Sequence, residues 1–167
     1  MRRIFVAALT TIALVPALVS AGCGSDDPPA ATATATPAQT TPAGPAVTFH
    51  TRAGTSASLS VEIADTVEKR AVGLMNRESL AEDAGMLFAW PEDTESGFWM
   101  KDTLIPLSIA FIDATGVIVD IQDMQPRDET LHYSSSPYRH AVEANQGWFA
   151  EHGIEAGDTV DLPAEAG

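Results

Sequence analysis

An α+β fold is predicted for residues 47–163: a compact, β-rich domain with an antiparallel, barrel-like sheet and two short helices. Short apolar segments recur with a period of two. Turn residues separate them, and only two stretches carry a helical signal.

Val47-Thr48-Phe49 and Leu59-Ser60-Val61-Glu62-Ile63 alternate apolar and polar side chains, as half-buried strands do. Asp65 or Thr66 then caps a helix whose Val67, Ala71 and Leu74 share one face, with Gly73 ending or bending it. Gly85 to Trp90 is a short apolar run before Pro91, read as a buried strand, and Phe98 to Lys101 reads as another. Ser108–Ile112 and Val117–Ile121 flank Asp113-Ala114-Thr115-Gly116, a hairpin signal. Gln125 to Arg139 is a long polar loop, and Ala141–Ala144 a strand. Trp148 to His152 forms a helical turn ended by Gly153. Gly157–Leu162 is a turn followed by the last strand, with 164–167 as a tail.

Residues 1–22 have the order of a lipoprotein signal peptide. Arg2 and Arg3 precede an apolar run from Ile4 to Val19, followed by Ser20-Ala21-Gly22 and Cys23, the chain's single cysteine. The run is too short for a permanent span, which needs about 20 apolar residues. Ser20 stands where an aliphatic residue is usual, and the paired arginines leave general and twin-arginine export both open. Diacylglycerol on Cys23 accounts for an odd cysteine in an oxidising compartment. It also places the chain on the outer side of a bacterial envelope membrane. Residues 23–46, rich in Ala, Thr and Pro, read as the lipidated cysteine and a disordered tether.

The formal net charge is −14, and removing Arg2 and Arg3 makes the remainder two charges more negative. Such a surface opposes nucleic acid and direct adsorption to anionic lipid.

Arg70-x-x-Gly73-Leu74-Met75-x-Arg77-x-x-Leu80, Gly85-Met86-Leu87-Phe88 and Phe98-Trp99-Met100-Lys101-Asp102-Thr103-Leu104-Ile105-Pro106-Leu107 carry a family likeness. So do Ala110–Asp113, Glu143–Gly147 and Gly157-Asp158. In order and spacing these blocks resemble the family called domain of unknown function 192. The resemblance implies a compact β-rich domain, often exported, and no established reaction. Two positions depart from it: Asp102, where the family usually has Asn, and Ser108, where it usually has Asp.

Trp99 to Pro106 concentrates the unusual residues. As a strand it sets Trp99, Lys101 and Thr103 on one face and Met100 and Asp102 on the other. It then reads either as a pocket floor, with Trp99 as platform and Lys101, Thr103 and Asp102 as polar contacts, or as a core strand entering a turn. Arg70 and Arg77 bracket Gly73-Leu74-Met75. They suit a carboxylate, phosphate or acidic sugar, or a structural ion pair such as Arg77 with Glu143 on its apolar strand.

The ligand-binding candidates are thus Arg77, Trp99, Lys101, Asp102, Thr103 and Glu143, with Cys23 for lipid. No cofactor is expected. The leading reading is a non-enzymatic, membrane-tethered module for a small molecule, glycan or envelope protein. A hydrolase or transferase using Asp102, Glu143 and a histidine competes with it. So does a soft-metal (copper) carrier drawing on Met75, Met86, Met100 and Met124 with His50, His132, His140 or His152.

Overall fold

In the computed structural model, residues 44–166 are described. The alternating segments form β1 (Ala46–His50), β2 (Ser56–Ala64), β3 (Ala84–Thr94), β4 (Leu107–Ile112), β5 (Ile118–Met124), β6 (Tyr138–Asn145) and β7 (Thr159–Asp161). The helices are α1 (Val67–Val72) and α2 (Trp148–Glu151). The signal segment, Cys23 and nearly all of the tether lie outside the described residues.

The strands make one sheet in the order β5-β4-β6-β3-β2-β1-β7. Its two outer strands meet at one end. Ile118 N donates to Asp158 O at 2.9 Å, Gly157 N to Ile118 O at 2.8 Å, and Val160 N to Gly116 O at 2.8 Å. The sheet is therefore curled into a half-barrel and clasped on itself. All pairings are antiparallel except β2 with β3, which run parallel. That corrects the wholly antiparallel expectation. A crossover through α1 and residues 73–83 reverses the chain twice and brings β3 back in the direction of β2.

Both faces of the sheet are covered. Phe49, Leu59, Leu87, Val142, Trp148 and Phe149 fill the concave side, where Phe49 and Phe149 meet edge-on at 5.4 Å. Phe88, Phe111, Ile109, Met100, Met124 and Tyr138 form a second core on the other side. Two-sided burial explains why β3 and β4 read as continuous apolar runs and not as alternations.

Several local expectations change. β3 continues through Pro91 to Thr94 because its pairing with β6 shifts register between Ala89 and Thr94, where no ladder N–H is demanded of the proline. Phe98–Lys101 is not a strand. Phe98 makes an isolated bridge to His132, and Thr103 N donates to Met100 O at 3.0 Å, closing a turn. Asp102 takes the third place of that turn with φ 54°, a left-handed conformation that Asp and Asn both tolerate. The family's usual Asn at this position meets the same backbone need. β6 begins earlier than expected, at Tyr138. Thr66 accepts Lys69 N in its cap and Gly73 ends α1 at φ 51°, as predicted, yet no residue of α1 is buried. Ala166 lies in the concave-side core, and its carbonyl is 3.4 Å from His140 Nε2.

Candidate functional site

β6 lies between β3 and β4 at the middle of the sheet. Alternation sends His140, Val142 and Ala144 to the concave face and leaves Glu143 on the other, flanked by Met86 of β3 and Ile109 of β4. A carboxyl thus sits where its neighbours on both sides are apolar.

Two segments roof this position. One is α1 with residues 73–75; the other runs from Ser96 to Thr103. Asn76 N donates to Asp102 O at 2.8 Å and ties them together. Beneath them is a cavity of about 430 Å³ walled by Phe88, Trp90, Phe98, Trp99, Leu74 and Met75, with Glu143 among its lining residues. Phe98 packs edge-on against Phe88 at 5.0 Å and Trp90 at 6.0 Å, which holds the aromatic wall in place. Of five exposed large hydrophobic side chains among the described residues, Val67, Val72 and Trp99 line this one cavity. Val67 and Ala71 on the apolar face of α1 therefore border the pocket, while Leu74 beyond the helix end enters the second core.

Glu143 is 4% exposed. Burial pushes its carboxyl up to about 8, with no hydrogen bond or charge partner opposing the shift. The shift favours the neutral acid, and among the described residues no side-chain hydrogen bond to this carboxyl is found. At the pocket wall Arg70 Nη1 donates to Asp65 O at 2.8 Å and to Ala89 O at 2.6 Å. Its guanidinium lies 5.1 Å from the centre of the Trp90 ring. Lys101 Nζ stands 5.3 Å over Trp99. Thr103, 4% exposed, donates its hydroxyl to Lys101 O at 3.3 Å and lines the same cavity.

The pocket thus gathers Trp99, Thr103 and Glu143 from the predicted set, with Lys101 held against Trp99 outside the wall. Asp102 is exposed and serves the turn through its backbone. Arg77 pairs with Glu62, 2.6 Å apart, and not with Glu143. Glu62 and Glu143 share a row across the sheet with Met86 between them, and Glu62 is the solvent-facing member that Arg77 reaches. Trp90, Phe88, Phe98 and Met75 were not foreseen as walls. Their apolar segments read as ordinary core, and only the register that sets Glu143 among them distinguishes them.

No histidine lines the cavity. His50 bonds Ser56 and Asp161, His132 bonds Gln122, and His140 and His152 reach backbone carbonyls. Met75 lines the cavity, Met86 a neighbouring one, while Met100 and Met124 are buried in the second core. Neither an Asp102–His pair nor a Met/His cluster is assembled among the described residues. Ser108 is placed elsewhere too. Buried between β4 and α2, it accepts Gly147 N at 2.9 Å and donates to Asp123, its cross-strand partner on β5. The acid missing at 108 has a counterpart directly opposite.

A half-barrel domain with one aromatic pocket around a buried acid is the class of protein defined by this arrangement. Residues 48–162 match the family described as an uncharacterized ACR, domain of unknown function 192, and the chain belongs to it. A candidate transcription regulator from Sinorhizobium meliloti 1021 is 34% identical. The match covers 71% of this chain and 92% of that one, with a TM-score of 0.69. A protein of unknown function from Novosphingobium aromaticivorans DSM 12444 is also 34% identical, over 71% and 84%, with a TM-score of 0.67. No curated protein matches.

Proposed function

We propose that the protein is a non-enzymatic binding module for a small molecule with a largely apolar body, tethered to the outer side of an envelope membrane through lipid on Cys23. The observation that carries the binding reading is Glu143, a buried acid without a protein partner in an aromatic pocket. A ligand group in the pocket can supply the hydrogen bond that the protein does not give this carboxyl. The volume of about 430 Å³ suits a small ligand. A hydrolase or transferase built on Asp102, Glu143 and a histidine has no support in the geometry, because no histidine reaches Asp102 or the pocket. A net charge of −14 opposes direct contact with nucleic acid.

A small-molecule panel read by thermal shift on the full-length protein in detergent tests the binding reading. Hits should raise the melting temperature of the wild type and lose that effect in Phe98→Ala. Hits indifferent to Phe98 and Glu143 substitutions would show that the pocket is not the site. For the tether, mass spectrometry of the membrane fraction should find diacylglycerol on Cys23, and soluble protein with an unmodified Cys23 would overturn it.

A further inference from the structure

We infer that the pocket takes a small zwitterion, its protonated amine against Glu143 and its anionic group beside Arg70. The inference rests on the binding reading and adds the polarity of the ligand. Three observations carry it. First, Glu143 and Arg70 are the only ionisable side chains lining the cavity, and they are of opposite sign when charged. Second, Arg70 is fixed by two backbone carbonyls and the Trp90 ring; among the described residues no carboxylate lies within ion-pair distance of it, and Asp65, bonded to Lys69, acts on it only from further off. Lys101 over Trp99 adds a second cation nearby, likewise without a carboxylate. Of the seven basic side chains among the described residues, Arg70, Lys101 and Arg127 make no ion pair, and two of these three stand at this one pocket. Third, the walls between the two groups are aromatic and apolar, so a ligand reaching both needs a hydrocarbon body.

Binding has a proton balance. The acid form of Glu143 gives its proton to the buffer as the ligand's ammonium arrives, and the resulting ion pair replaces a neutral buried acid. Arg70 of α1 stays charged throughout, and among the described residues no further titratable group lines the pocket from α1, β3, β6 or the 96–103 segment. Release of about one proton per ligand is therefore expected below the Glu143 value of about 8.

The test uses four probes on one ring: 4-(aminomethyl)benzoate, 4-methylbenzoate, 4-methylbenzylamine and 4-methylbenzyl alcohol. Each is titrated calorimetrically into the full-length protein in detergent at pH 7, in two buffers of different ionisation heat. The zwitterion should bind at least about ten-fold tighter than either singly charged probe. It should release a proton, whereas the benzoate should not. Glu143→Gln preserves the shape and should erase the advantage of the zwitterion over the benzoate while leaving benzoate affinity within about two-fold. Because Arg70 also holds α1 to β3, its variant Arg70→Lys is checked for an unchanged melting temperature first, and should weaken both carboxylate probes. Benzoate as tight as the zwitterion, or zwitterion binding unchanged in Glu143→Gln, overturns the inference and leaves the binding reading standing. Silence of all four probes overturns it as well. The binding reading falls only if the wider panel is silent too.

Discussion

Two carboxyls with little accessible surface, Glu143 in the pocket and Asp158 at the clasp, behave in opposite ways. Both residues are nearly inaccessible, at 4% and 3%. Burial raises both, but at Asp158 it is outweighed. Backbone amides of Glu155 and Arg52 donate to it, the Arg52 guanidinium stands beside it, and its carboxyl is held below the usual carboxylate value. Glu143 has none of these partners and rises to about 8. Depth and donors together decide the charge state of such an acid: Glu143 lies deep in the sheet without donors, Asp158 near the surface with several. One acid is finished by the protein and joins the ends of the sheet. The other is left for something else to finish.

The largest predicted effect sharpens this contrast through pH. Between its ordinary 4.5 and about 8, the folded state holds one proton on Glu143 that the unfolded state has lost. Its contribution is fully present below 4.5 and is lost as pH rises through about 8, on the order of 5 kcal/mol in total. Urea unfolding at pH 5 and pH 8.5 should show Glu143→Gln free of that loss relative to the wild type. Parallel changes in the two proteins would break the assignment.

Asp158→Asn comes next, with about 2–3 kcal/mol lost at pH 7, because amide donors and Arg52 are left facing a neutral group. The sign is opposite: the depressed carboxyl stabilises above its usual 3.8 and ceases to as pH falls through the lowered value. The difference between variant and wild type should therefore shrink in strong acid, as equilibrium unfolding at pH 7 and pH 2.5 would show. A third prediction concerns Gly85, whose added Cβ would collide with the Glu143 carbonyl and the Leu59 side chain. Gly85→Ala should cost about 2 kcal/mol in the same assay, and loss of small-molecule thermal shifts should accompany it. The smallest effect is at Arg77. Its half-exposed pair with Glu62 should couple by less than about 1 kcal/mol in a double-mutant cycle. Arg77 and Glu143 should be additive, and coupling between them would restore the pairing expected from the sequence.

Strands were legible where one residue type dominates a segment or a turn is unambiguous. Asp113 accepts Thr115 N and Val117 N and turns the chain at Gly116 as its composition implies. Partner choice was not legible, because alternation specifies a face and not a neighbour, so the parallel β2–β3 pair was missed. Glu143 stood out as a charge within an apolar strand, and Trp99 and Thr103 as part of a dense cluster. Asp102 stood out for the wrong reason, since its left-handed backbone, not its carboxylate, is what the fold uses. Arg77 was assigned the wrong acid because two glutamates share one row, a fact that only strand register reveals.

The place of β6 has a kinetic consequence. It lies between β3 and β4, yet both precede it in the chain, and it supplies Glu143. During synthesis, β1 to β3 and the β4–β5 hairpin emerge first, with nothing to join them until residues 138–145 arrive and insert. Pairings this distant along the chain make for slow folding. Until that insertion the chain exposes two unpaired inner strand edges, each a template for association with another chain. Nascent or truncated chains ending before Tyr138 should consequently aggregate, and the pocket is among the last parts of the molecule to exist.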